Sequence, residues 1–426
     1  MRTFLIIWFG QLISTLGSGL TSFAFGVWVY LETGSTTLFA LNILCWTLPG
    51  ILFSSLVGIL VDRFDRRLVL ILSDVGSALS TLTVWALFTT GHLQVWHVYI
   101  VTFCSATFSN IQWTAQSAAV TMLVPRQQLG RASGMMAMCD AVSMLVSPTL
   151  AGALYLPVGL GGIVLIDFVT FFFAVGTLLI VHIPAPPPSA ESLRIRNSFK
   201  ENVLFGWKYI AVRPGLRGLL VYFAFLSFLL GMVDPLLQPM VLNLHGPMLT
   251  GFVMSSMGAG YLIGTLVMSA WGGPRRRALG ILIPGVIQGV VMIGFGISPS
   301  LVVIAGSIFI FSLIDPIVGG SSQALWQSIV PADLQGRVFV VRWMISKIGL
   351  ASSLMLAGPL AEKEFEPLLL SNGILADSLG KIIGIGAGRG TGLQFIVLGV
   401  LFCLSSILAL CYAPLRLMDT CLPEQA

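Results

Sequence analysis

The reading of the chain turns on Gly58-Ile59-Leu60-Val61-Asp62-Arg63-Phe64-Asp65-Arg66-Arg67, in which half of the residues are charged. On one side of it, Leu38–Val61 carries no charge; on the other, Leu68–Thr90 carries only Asp74. A helix needs about 20 apolar residues to cross a bilayer. The quoted stretch is therefore a wet turn between two membrane spans. Gly58 lets the helix end approach its neighbour, Asp62 can accept hydrogen bonds from a facing helix N-terminus, and Arg63, Arg66 and Arg67 suit an anionic inner leaflet.

The rest of the chain follows the same pattern. Charged residues make up 9% of the 426 residues, against about 25% in soluble domains, which excludes a soluble globular protein. Hydrophobic residues reach 56%, far too many for disorder. Twelve apolar runs are expected to span the membrane, six before a linker and six after it. The first six are Phe4–Leu31, Leu38–Val61, Leu68–Thr90, Val95–Val124, Ala132–Leu156 and Gly162–Ile183. The second six are Gly215–Leu242, Gly251–Trp271, Ala278–Ile297, Leu301–Val330, Val338–Leu360 and Gly390–Tyr412. The first run is too long for a signal-peptide core and no small-residue cleavage site follows it, so it is taken as a retained span. Residues 1–183 and 215–426 then form two six-helix bundles, joined by a cytoplasmic linker over 184–214. The linker opens with Pro184-Ala185-Pro186-Pro187-Pro188. It continues with Phe199, Val203, Trp207 and Ile210 at helical spacing, an amphipathic helix for the inner leaflet.

Basic residues orient the spans. Of the 22 Lys and Arg, 17 fall in loops on the side of the N-terminus and three (Lys363, Lys381, Arg389) on the other, while Arg342 and Lys347 lie within the eleventh span. This asymmetry predicts that both termini are cytoplasmic. The halves also repeat: Val124-Pro125, Gly130-Arg131 and Leu150-Ala151-Gly152 recur as Val330-Pro331, Gly336-Arg337 and Leu356-Ala357-Gly358 at a constant offset of 206 residues. Duplicated halves are common in transporters.

The loop from Gly58 to Arg67 resembles the signature loop of the major facilitator superfamily, G-x-x-x-D-R-x-x-R-R. The counterpart in the second half, Gly272-Gly273-Pro274-Arg275-Arg276-Arg277, keeps the charge and loses the acid. The resemblance implies an all-α fold of twelve helices in two pseudo-symmetric bundles that work by alternating access. It implies too that Asp62 meets the cytoplasmic end of the eleventh span, where Arg342 is the expected partner. Snorkelling of Arg342 to lipid headgroups is the alternative.

In the fifth span, Ser143, Ser147, Pro148, Ala151 and Gly152 resemble a degenerate form of the family's antiporter motif G-x-x-x-G-P-x-x-G-G. Small residues at this spacing also serve plain helix packing. Together with the signature loop and the Leu123-Val124-Pro125 to Gly130-Arg131 segment, they resemble the branch of macrolide efflux pumps and enterobactin-type siderophore exporters, which favours export.

Ionisable groups inside spans are costly and therefore suggestive. Asp140, Asp167, Asp234, Asp315 and Lys347 lie deep, with Asp74 and Arg342 nearer the inner surface. In the family fold, spans one, four, seven and ten line the cavity, which singles out Asp315 and Asp234. Each precedes a proline, where a locally broken helix lets polar groups reach water. Asp315 is the first proton-carrier candidate, followed by Asp234 and Asp140. The alternative is that these acids cap broken helices or pair with Lys347, which lies at nearly the depth of Asp140. Ser105 stands where many proton-coupled drug exporters carry an arginine, a departure from the usual route.

Gln11, Trp28, Asn110, Gln112, Trp113 and Gln116 are the expected cavity lining, with Met135, Met136, Met138 and Met144 nearby; amides among aromatics and methionines suit a bulky hydrophobic or amphiphilic substrate. The outer loop from Ala361 to Arg389 is expected to be a solvated connector, a lid being the alternative. Other classes find no support. Among five lysines only Lys381 follows a glycine, and Ile382 follows it, so no phosphate-binding loop is present. His92, His97, His182, His245 and the six cysteines show no zinc spacing, so no metal or cofactor is expected. The basic clusters sit between spans and meet lipid rather than nucleic acid. The expectation is a monomeric exporter of the plasma membrane, driven by proton antiport; a passive facilitator, a lipid or solute permease, or a non-transporting sensor are the alternatives.

Overall fold

The computed structural model describes residues 2–53, 56–57, 60–61, 64–125, 128–181, 199–331, 334–386, 388–416 and 418. Among them every regular element is helical. The principal helices are α1 (Arg2–Thr33), α2 (Thr36–Leu52), α3 (Arg66–Thr89), α4 (Val95–Leu123), α5 (Leu129–Ile180), α6 (Phe199–Ala211), α7 (Pro214–Leu230), α8 (Val233–Trp271), α9 (Leu279–Ile297), α10 (Leu301–Ile329), α11 (Gln335–Leu360) and α12 (Arg389–Cys411). Eight helical stretches are long and apolar enough to cross a membrane, and two of these, Arg131–Ile180 and Pro214–Trp271, are double length. With α2 and α4, twelve spans result.

The two double-length stretches bend at glycines. Gly159 (φ 65°, ψ −177°) divides α5 into the fifth and sixth spans, and Gly246 (φ 77°, ψ 176°) divides α8 where the seventh span gives way to the eighth. This backbone region is open almost solely to glycine. Both bends fall in the gaps that hydropathy leaves between runs. Side-chain caps start two of the other helices: Ser35 accepts from the backbone of Leu38 to start α2, and Asp65 accepts from Arg67 N to start α3.

The chain forms two compact units. One is Met1–Pro188 together with His245–Ser255; the other is Ser189–Leu244 with Ser256–Ala426, and it includes α6. In the first unit, α1 packs closely on the sixth-span part of α5. A Cβ at Gly10 would come within 2.4 Å of Thr177 Oγ1, and one at Gly17 would collide with Thr170. The two contacts are seven residues apart on each helix, the spacing of a left-handed helix pair. Ile7, Val69, Leu70, Ala115, Ala119 and Leu178 fill the core between the surrounding spans.

In the second unit, α9 meets α12 through glycines. A Cβ at Gly296 would lie 2.1 Å from Gly392 O, and one at Gly289 would lie 2.8 Å from Gly399 O, so the two backbones touch. Phe295 seals the gap edge-on to Phe311 and Phe395, at 5.7 and 5.5 Å. The linker helix α6 packs on α11: a Cβ at Gly206 would meet Arg337 O at 2.5 Å, and Ile210 is buried. Its packed face thus runs through Gly206 and Ile210, while Trp207 is 51% exposed. The smallest residue, not the largest, makes the contact because α11 approaches so closely. The side chains of Phe199 and Val203 and the whole Pro184–Pro188 run lie outside the described residues.

Candidate functional site

A buried polar cluster in the first unit joins three spans. Asp74 on α3 is 4% exposed and accepts from Gln11 Nε2 on α1 at 3.3 Å and from Gln112 Nε2 on α4. Gln112 Nε2 also donates to Gln11 Oε1 at 2.8 Å. The glutamines are two of the expected cavity residues, but they spend their amides on a carboxylate that sequence reasoning ranked below the others. The remaining cavity candidates do not join them. Asn110 donates to Ala106 O within its own helix at 2.7 Å, Trp113 is exposed, and Trp28 and Gln116 are half-buried. Further along α1, Ser18 donates to Asp167 on α5 at 3.2 Å.

The fifth-span motif makes close helix contacts. Ser143 donates to Thr15 O and Ser147 to Leu16 O, each at 3.1 Å, tying α5 to α1. Ala151 is fully buried. A Cβ at Gly152 would lie 2.5 Å from Pro247 O, and one at Gly251 would lie 2.2 Å from Pro148 O, so the start of the eighth span sits backbone to backbone on this motif. Thr149 Oγ1 donates to Ser255 Oγ at 2.7 Å in the same contact.

Of the signature loop, Gly58, Asp62 and Arg63 lie outside the described residues. Arg66 donates to Ala118 O at 3.0 Å near the C-terminus of α4, and Arg67 donates to Leu178 O and Leu179 O at 2.9 and 2.7 Å at the end of α5. Arg67 therefore caps a helix end, where the terminal carbonyls carry partial negative charge, and Arg66 ties α3 to α4. In the second unit, Arg342 on α11 donates to Gln323 Oε1 and Ser322 Oγ on α10, at 2.9 and 3.2 Å. Its guanidinium lies 5.6 Å from the Trp326 ring and 5.9 Å from that of Phe223.

The ranked acids differ in setting. Asp315 is half-buried on α10; the Gln288 side chain on α9 hydrogen-bonds it, and Tyr261 on α8 is near enough to feel its charge. The helix is expected to break at Pro316, yet α10 runs unbroken from Leu301 to Ile329, and proline costs it only one backbone bond. Asp234 does stand at a break: α7 ends at Leu230, and α8 begins at Val233, with Asp234 exposed in a first turn whose other residues are buried. Asp140 is exposed on α5, and Lys347 stands 5.7 Å from the Trp343 ring.

The outer loop is exposed along much of its length but anchored at several points. Leu369 and Ile383 are buried with Leu393 of α12 in a small core of their own. Glu366 accepts from the backbone N–H of Gly388 at 2.8 Å and of Gly390 at 3.3 Å, capping α12. Arg389, 4% exposed, donates to Gly296 O and Ile297 O at the C-terminus of α9, at 3.0 and 3.1 Å. The loop is folded down onto helix ends. Among the described residues no cluster of three or more metal-ligating side chains occurs.

Such a bundle, with its polar groups gathered between apolar spans, has the architecture of a membrane transporter rather than an enzyme. Residues 7–354 match the Major Facilitator Superfamily, and the chain belongs to that family. It is 28% identical to macrolide efflux protein A of Streptococcus pyogenes over 372 residues, covering 84% of this chain and 89% of that protein. It is 24% identical to the enterobactin exporter EntS of Shigella flexneri over 345 residues, 79% of each. In structure it resembles a bacterial homologue of the human lysosomal transporter Spinster, with a TM-score of 0.69 over 99% of this chain and 97% of that one, at 14% identity. At that identity the likeness concerns the fold alone.

Proposed function

We propose that this transporter exports a hydrophobic or amphiphilic compound, such as a drug, a macrolide-like metabolite or a siderophore, by alternating access and proton antiport. The observation that carries the reading is Asp315. It is a half-buried carboxylate in an otherwise uncharged span, held by the neutral amide of Gln288. A carboxylate with neutral partners can gain and lose a proton without breaking an ion pair, the property that ion exchange across a membrane requires. Efflux names among the relatives support the outward direction. Asp234 and Asp140, both exposed, rank behind Asp315 as proton-carrier candidates. The protein works as a monomer in the plasma membrane with both termini in the cytoplasm.

The direction is tested in cells. Expression should lower steady-state accumulation of at least one member of a panel of macrolides, catecholate siderophores and amphiphilic dyes, and a protonophore should abolish the difference. Accumulation that rises on expression overturns export.

A further inference from the structure

Asp74 plays no part in a mechanism built on Asp315, although it is more deeply buried and better bonded. We propose that Asp74 is a second proton-exchanging site, and that its proton determines whether α4 is hydrogen-bonded to α1.

An ionised carboxylate only accepts, so both glutamines turn Nε2 toward Asp74. The two N–H groups of Gln112 are then fully used, one on Asp74 Oδ1 and one on Gln11 Oε1. When a hydronium ion gives its proton to Oδ1, one O–H bond breaks in the hydronium as one forms on the carboxyl, a neutral water leaves, and the site goes from one negative charge to none. That oxygen now donates, and the Gln112 amide must turn over to present Oε1 to it. The turn withdraws Nε2 from Gln11, and the tie between α4 and α1 is released. Because the partners are amides, no opposing charge is stranded by the change.

Among the described side chains, the other ionisable groups on the packed helices are committed or distant. On α3, Arg66 and Arg67 are bound to the carbonyls of Ala118, Leu178 and Leu179. On α1, Tyr30 and Glu32 lie at the far end, about 28 Å or more along the axis from Gln11. On α4, Cys104 is about 12 Å along the axis from Gln112, and Tyr99 and His97 are farther. On α5, Asp167 accepts from Ser18, while Arg131, Cys139, Asp140 and Tyr155 belong to the fifth span rather than the sixth, which packs on α3 through Leu178 and Leu179.

Any part of this site in driving export rests on the exporter reading; the proton exchange itself does not. The test is infrared difference spectroscopy of the full-length protein in lipid, taken between alkaline and acidic buffer, for wild type, Asp74→Asn and Asp315→Asn. A carboxylic-acid carbonyl band should lose one component in Asp74→Asn and keep that component in Asp315→Asn. Gln112→Leu, which removes a donor, should shift the frequency and midpoint of the same component. A spectrum of Asp74→Asn identical to wild type overturns the site and leaves a fixed polar tie. If Asp74→Asn fails to fold, an unchanged band in both Gln112→Leu and Asp74→Glu has the same force. A transport-inactive protein whose Asp74 component still titrates would contradict the exporter reading and leave the site standing.

Discussion

Gln288 on α9 bonds the carboxyl of Asp315 on α10, so the acid placed at the centre of coupling is positioned by a neutral neighbour one helix away. Gln288 is itself fixed: it is 1% exposed and its Nε2 reaches Phe311 O at 3.3 Å. Replacing it by leucine keeps the volume and removes the amide. Export by Gln288→Leu should persist with a displaced pH midpoint, read from efflux rates across a pH series. An unchanged midpoint would show that the amide has no hold on the acid.

Arg67 binds the carbonyls of Leu178 and Leu179, which the end of α5 leaves unpaired. Arg67→Ala should cost about 1.5–3 kcal/mol, the range for hydrogen bonds to a charged group. A lower melting temperature in detergent would show it; Arg67→Lys, with a single-point donor, should recover only part.

The contact of α9 with α12 has no room for a side chain at Gly296, where a Cβ would stand 2.1 Å from Gly392 O, whereas nothing lies within 4 Å of a Cβ at Gly306 on α10. Gly296→Ala should destabilise by at least the 1–3 kcal/mol typical of overpacking. Gly306→Ala should be neutral or raise stability by about 0.5–1 kcal/mol through helix propensity. Thermal unfolding of the pair compares them directly; equal melting temperatures would refute the close contact.

Glu366 holds the outer loop through the N–H groups at the start of α12. Loss of such a cap costs about 0.5–2 kcal/mol. Glu366→Ala should expose the loop to trypsin at Lys381, with cleavage faster than in wild type and restored toward it in Glu366→Asp.

The spans and their bends were legible because hydropathy alone records them: Gly159 and Gly246 fall where the apolar runs pause. The Asp74 cluster was not. Its members are 63 and 38 residues apart in sequence, and only the packing of α1, α3 and α4 brings them together. Asp74 was visible as a charge inside a span, but its depth suggested the inner surface, and Gln11 and Gln112 read as ligands for a substrate. The anchoring of the outer loop was hidden for another reason. Its glycines suggest looseness, yet Gly384, Gly386 and Gly388 all have positive φ and serve tight turns that return Arg389 to the end of α9. Backbone handedness of that kind leaves little mark in composition.

Proton-driven export through Asp315 is the central claim, and efflux from proteoliposomes under an imposed pH gradient, wild type beside Asp315→Asn, tests it most directly. Substrate movement should be driven by the gradient in wild type and, in Asp315→Asn, continue only downhill with no response to it. Wild-type flux that ignores the gradient, or a mutant that still follows it, would contradict the account.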